Sequence, residues 1–162
     1  MKLLHPVRVA RLAALPDGFE ELAADAVADG QKMLDVLRED WEAGTLRFDG
    51  PGEALFVAYA GEALLGLAGL TRDPYLKEEP VGRLRRLYVR RAARRHGAGR
   101  ALANAVAAGA REAGWRRLRV RAPVAAFAFY EACGFLRAVG EKAATHVRVL
   151  EAGVTPAPPG TP

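Results

Sequence analysis

Little in this chain suits a covalent framework or a metal-held site. It has one cysteine, Cys133, in 162 residues, which excludes an internal disulfide framework and a cysteine-rich metal site. Its three histidines, His5, His96 and His146, are scattered without ligand spacing, so no metal is expected. No apolar run reaches the roughly 18 residues of a membrane span, and Lys2 is not followed by a long apolar core with a cleavage pattern. These absences predict a soluble cytoplasmic protein with no membrane partner. No internal repeat and no second domain are visible.

Hydrophobic residues make up 51% of the chain, enough for a substantial core, and charged residues 27%. The net charge of +5 is unevenly spread, because eight arginines fall between Arg83 and Arg100. A local excess of that kind points to a local anionic partner rather than to a generally basic surface.

In chain order, Val7–Leu12 alternates as a first strand. Phe19–Ala28 and Gln31–Ala43 have helical spacing, the second with Met33, Leu34, Leu37 and Trp41 on one side and Gly44 as its cap. Ala54–Ala60 and Ala63–Leu70 flank Gly61-Glu62 as a hairpin. Thr71–Val81, with two prolines, reads as a loop. A strand over Arg83–Val89, a glycine turn and an Ala-rich helix to about Ala113 follow. Arg117–Arg121 predicts a strand, Val124–Ala132 a short helix, and Phe135–Val139 and His146–Leu150 the last strands. The order β-αα-βββ-α-β-α-ββ predicts a mixed sheet of about six or seven strands with about four helices. One domain spans residues 1–152, and the Pro- and Gly-rich stretch 153–162 reads as a disordered tail.

The densest information lies in Leu84–Leu102. Gly97 and Gly99 remove two Cβ atoms where a strand turns into a helix, so backbone N–H groups can approach a ligand. The helix start adds free N–H groups and a partial positive charge. Together they suit a phosphate or diphosphate.

Two motifs then give the chain a family resemblance. Arg94-Arg95-His96-Gly97-Ala98-Gly99, after a Leu-Tyr-Val strand and before an Ala-rich helix, fits the Arg/Gln-x-x-Gly-x-Gly/Ala signature of the GNAT acyl-CoA N-acyltransferases. Phe129-Tyr130-Glu131-Ala132-Cys133-Gly134-Phe135 resembles that family's Phe-Tyr-x-x-x-Gly-Phe segment. The element order agrees over roughly residues 6 to 150. The resemblance implies an α/β (α+β) GNAT fold whose fourth and fifth strands splay apart to admit acetyl-CoA. The pantetheine arm is expected along Leu87, Tyr88 and Val89. The pyrophosphate is expected on Arg94, Arg95, His96, Gly97, Ala98, Gly99 and Arg100.

The same resemblance implies direct attack of a primary amine on the thioester in a ternary complex. Tyr130 matches the family position for the general acid that protonates the leaving thiolate. Arg83 stands where many members carry a strand glutamate; Glu78 and Glu79, in the loop before it, are the candidate bases, with Glu79 preferred, and an acceptor amine of low pKa needs none. Pro123 stands about where some relatives carry an asparagine. Trp41, Phe48 and Tyr75 are the candidate acceptor-pocket residues, with a small-molecule amine or a peptide or protein amine as partner, and a monomer or homodimer as assembly. Cys133 lacks a His/Asn constellation and reads as a buried small residue. Two competing classes are an inactive acyl-CoA-binding sensor, suggested by the missing glutamate, and a basic nucleic-acid-binding module. The second lacks any DNA- or RNA-reading motif.

Overall fold

Eleven of the apolar residues from Ala54 to Leu70 are buried, and the molecule is built outward from them. The computed structural model describes residues 3–151, so the stretch expected to be a tail lies outside the described residues. The elements are β1 (Val7–Leu12), α1 (Phe19–Ala28), α2 (Met33–Ala43), β2 (Ala54–Ala60), β3 (Ala63–Arg72), β4 (Val81–Val89), α3 (Ala98–Glu112), β5 (Arg117–Val120), α4 (Phe127–Ala132), β6 (Leu136–Arg137) and β7 (His146–Val149). They form a seven-stranded sheet in the order β1-β2-β3-β4-β5-β7-β6. Only β4 and β5 pair in parallel.

Both sheet faces are covered, which explains why β2 and β3 read as continuous apolar runs rather than as alternating strands. Side chains on successive strand residues point to opposite faces. Phe56, Leu70 and Leu84 therefore meet Leu102, Val106 and Ala110 of α3 on one side. Leu55, Val57, Leu67 and Tyr88 meet Leu22, Ala26, Leu34 and Leu37 of α1 and α2 on the other. Ala60 pairs with Ala63 across Gly61, whose φ of 59° suits a two-residue hairpin loop. Several expected boundaries move: β3 runs on to Arg72 and β4 starts at Val81, both within the stretch expected to be a loop, and β5 and β7 each end one residue early, at Val120 and Val149. The second helix starts at Met33 rather than Gln31, the short helix after Pro123 begins as a 3₁₀ turn, and the strand expected over Phe135–Val139 shrinks to Leu136–Arg137. At the sheet edge β6 pairs with β7 at Leu136–Val147 and Arg137–His146.

β4 and β5 are paired only at Val81–Arg117, Gly82–Leu118 and Arg83–Arg119. Beyond that point they separate. The β3–β4 register slips between Leu67 and Gly69, so that β4 carries one extra residue there. Arg86 takes a φ of 61° at the slip. A bulge of this kind raises the local twist and bends its strand, and here it turns β4 away from β5. After Val120, β5 bonds elsewhere: the Ala122 N–H donates to Thr145 Oγ1 at 2.9 Å.

A buried charge cluster fastens the end that stays paired. Asp73 and Arg119 are both 0% exposed. Arg119 donates to Asp73 Oδ2 at 2.9 Å and to the Lys142 carbonyl, and Arg83 reaches the same carboxylate oxygen at 3.5 Å. The Asp73 carboxylate also accepts the Tyr75 N–H at 2.8 Å, so the cluster fixes the β3–β4 loop as well. Removing one partner of a buried pair strands the other charge, at a cost of about 3–5 kcal/mol. We predict that Asp73→Ala lowers the melting temperature by on the order of 10 °C, with Asp73→Asn, which keeps an acceptor, in between. A thermal denaturation shift under about 2 °C for the alanine variant would show that the cluster does not hold the strands.

Candidate active site

The β4–α3 turn is shaped by backbone conformation. After β4 comes a 3₁₀ turn, Arg91–Ala93, then Arg95 at φ 68° and Gly97 at φ 86° ahead of α3. A left-handed φ at a non-glycine residue such as Arg95 is uncommon and tends to mark functional turns. Among the described residues, the six N–H groups of 95–100 donate to no protein acceptor, and the first helical bond runs from Ala101 N–H to the Gly97 carbonyl. Arg94 to Gly97 and Arg100 are exposed around them. Six unpartnered amides at the start of a 15-residue helix make an anion cradle.

The two glycines act differently. A Cβ on Gly97 would meet nothing within 4 Å, so its requirement is the positive φ. A Cβ on Gly99 would lie 2.9 Å from Phe129 Cε2. Glycine there lets α4 pack against the start of α3, so the two sequence motifs touch.

Helix α1 ties itself to the cradle through two carboxylates. Asp25 accepts the Tyr88 hydroxyl at 2.5 Å and the Arg91 N–H at 3.1 Å. Burial pushes its carboxyl up, but the Tyr88 and Arg91 hydrogen bonds and the charges of Arg91 and Arg90 together bring it below the ordinary value of 3.8. Burial, then the bond to Asp25, pushes the Tyr88 phenol up, so it stays a donor. Arg94 lies over the Tyr88 ring and donates to Asp29 at 2.6 Å and to the Val89 carbonyl at 3.2 Å. That bond to Arg94 holds the Asp29 carboxyl below its ordinary range. The Arg94 guanidinium expected on the phosphate therefore already carries a counter-ion.

Separation of the strands leaves the β5-facing edge of residues 84–89 without a strand partner. Leu87 and Val89 lie in the same apolar cluster as Tyr130, whereas the Tyr88 ring belongs to the opposite face. The Tyr130 ring is held edge-on by Phe129 and Phe135, with centroids 5.0 and 5.4 Å away. Burial, then neighbouring Cys133, pushes its phenol above the ordinary range. Cys133 is buried, and burial raises its thiol, which fits a packing role.

A cavity of about 350 Å³ opens beside the separated strands, lined by Tyr75, Arg83, Leu84, Arg85, Arg86 and Arg121. Tyr75 is thus the one expected pocket residue that lines it. Phe48 is buried with its ring against Gly69, a core position, and Trp41 packs at the margin of the same core. Glu79 does not join Tyr130: it precedes β4 at the paired end and bonds Arg117 at 3.0 Å. His96 is exposed on the cradle. Asp73, in the stretch expected to be a loop, is the buried counter-ion of Arg83 and Arg119. The cavity arginines were not singled out for acceptor contact. Their signal was the alternation of Arg83 and Arg85 in one strand and of Arg117, Arg119 and Arg121 in the next, which the register lays side by side on one face.

The Asp25 carboxylate gives a pH test. Its native pKa is depressed, so the stabilisation it supplies is present above 3.8 and is lost as pH falls through the lower native value. We predict that Asp25→Asn is destabilised at neutral pH and that the gap to the parent narrows below about pH 3.5 in urea unfolding. A constant gap across that range would contradict the tether.

Comparison with known proteins agrees with this geometry. The model of the acetyltransferase (GNAT) family matches residues 15–135. A candidate acetyltransferase from Exiguobacterium sp. 255-15 is 28% identical, with a TM-score of 0.76 over 88% of this chain and 93% of that one. A GNAT-family acetyltransferase from Staphylococcus aureus Mu50 is 18% identical, with a TM-score of 0.64 over 89% of this chain and 100% of the other. A Bacillus subtilis acetyltransferase solved in complex with CoA is 19% identical, with a TM-score of 0.58 over 80% and 76% of the two chains. The last two likenesses concern the fold. A search of curated proteins finds no significant match. Among the described residues no helix is long and apolar enough to cross a membrane. With its family model spanning most of the sequence and its strands separating beside a turn of unpartnered amides, this chain belongs to the acetyltransferase (GNAT) family.

Proposed function

We propose that the protein transfers an acetyl group from acetyl-CoA to a primary amine. The observation that carries this reading is the run of six unpartnered N–H groups over residues 95–100, at the end of an unpaired strand edge. An extended arm ending in a diphosphate fits both parts at once: strand-like bonding along residues 87–89, then anion binding at the helix start. Acetyl-CoA supplies an activated thioester. The chain's contribution is to place that thioester and the amine together in the strand opening, where orientation replaces a bimolecular encounter.

Backbone N–H near Val89 stabilises the charge that develops on the thioester oxygen. Tyr130 delivers its phenolic proton to the departing sulfur, and the raised phenol ensures that this proton is present at neutral pH. The nitrogen–carbon bond forms, the carbon–sulfur bond breaks, and the amine proton leaves to solvent. Glu79 is engaged with Arg117 and would take that proton only through intervening water. Arg95, His96, Gly97, Ala98, Gly99 and Arg100 bind through their amides, whereas Arg94 shares its side chain with Asp29.

Two variants separate binding from chemistry. Gly97→Trp strains a φ of 86° and places an indole over the cradle, so acetyl-CoA affinity measured by calorimetry falls by about 100-fold or more. Tyr130→Phe keeps the ring packing but removes the proton, so kcat in a thiol-release assay drops by about 10²-fold with little change in acetyl-CoA affinity. Unchanged affinity in the first variant overturns the cradle. Full turnover in the second, with chemistry limiting, overturns the acid role.

A further inference from the structure

The cavity beside the separated strands has an imbalance that acetyl transfer alone does not explain. Four arginines line it, and no carboxylate does among the described residues. Two of the four have partners. Arg83 reaches Asp73 at 3.5 Å and donates to the Ala143 carbonyl at 2.8 Å, while Arg86 reaches Asp40 at 3.5 Å. Arg85 and Arg121 form no ion pair and no side-chain hydrogen bond with any described residue. Arg85 is half-buried, and burial, followed by the charges of Arg86 and Arg83, pulls its guanidinium below the ordinary range, whereas Arg121 is exposed and lines the same cavity from the solvent side.

A guanidinium withdrawn from water without a counter-ion is disfavoured, and it is the arrangement expected where a ligand supplies the anion. The placement is consistent. Arg83 pairs with Arg119 in parallel register, so Arg85 and Arg121 fall at the next same-face positions, where the strands have parted. The cradle for the donor's diphosphate lies beyond Val89, roughly 13 Å further along β4 by strand rise. The cavity and the cradle are therefore separate anion sites.

We propose that Arg85 and Arg121 hold an anionic group, carboxylate or phosphate, on the acceptor, so that the substrate is an amine carrying its own negative charge close to the nucleophilic nitrogen. This rests on the acetyl-transfer reading. Tyr75, stacked by Arg83 with 5.1 Å between guanidinium carbon and ring centroid, closes one side of the cavity. The same arginines repel polycationic amines.

The test uses four amines with a two-carbon spacer and acetyl-CoA in a thiol-release assay: β-alanine, O-phosphoethanolamine, ethanolamine and ethylenediamine. The two anionic amines are expected to exceed ethanolamine in kcat/KM by about tenfold or more, with ethylenediamine last. Which anionic amine leads distinguishes carboxylate from phosphate. In Arg85→Ala that preference collapses by about tenfold, mainly through KM, and Arg85→Lys recovers part of it. A parent that prefers neutral or cationic amines overturns the proposal. So does an Arg85→Ala variant that loses acetyl-CoA affinity, because the cavity would then serve the donor.

Calorimetry with succinate or inorganic phosphate, at saturating coenzyme A to fill the cradle, gives a readout without turnover. Binding in the parent that is lost in Arg85→Ala upholds the anion site even if no amine reacts, in which case the acetyl-transfer reading is what fails. No binding of either anion to the parent, or binding unaltered in the variant, overturns the site.

Discussion

The proposed function depends on two parallel strands that start paired and then part. Parallel strands normally keep their ladder, because each unpaired N–H and C=O in a sheet interior forfeits a bond. Here the ladder stops after Arg83 and Arg119. The bulge at Arg86 bends one strand, Thr145 takes over the amide of the other, and Asp73 fastens both at the end that must stay closed. The opening is thus set by opposed local choices, one holding and one diverting, within a few residues of each other. What lies between the strands is backbone hydrogen-bonding capacity that the protein itself leaves unused.

The glycine turn and the helix after it were legible in the sequence because they are made of local chemistry. Gly97 and Gly99 sit where the backbone must turn and be approached, and the Ala-rich segment after them is a helix under almost any tertiary context. Their pairing with Phe129–Phe135 was also legible, although its physical basis was not: Phe129 rests where Gly99 lacks a side chain. That is a contact between distant segments, and no periodicity announces it.

The acceptor side was less legible, for a reason visible in particular residues. Phe48 and Tyr75 are both aromatic residues in loops, and composition does not tell them apart. One fills the space over Gly69 and the other faces the cavity, and the register of β3 decides which. Asp73 beside Pro74 looks like a turn and does start one, yet its carboxylate neutralises arginines ten and forty-six residues away. The arginines of β5 alternate with Leu118 and Val120 like any half-exposed strand. Only the parallel pairing with β4 shows that two such stripes share a face.

Under the proposed acetyl transfer, the contact between Asp29 and Arg94 bears on how quickly a spent donor would depart. An incoming anion at the cradle meets an arginine whose charge is already compensated, so the electrostatic gain is smaller than a bare guanidinium would give. The attenuation applies alike to loaded and unloaded forms of the donor, since both carry the same diphosphate. It therefore weakens binding uniformly and leaves the barrier to chemistry untouched. On the proposed reading, the carboxylate on the first helix would compete with the donor's diphosphate for Arg94, which favours release of product over its retention.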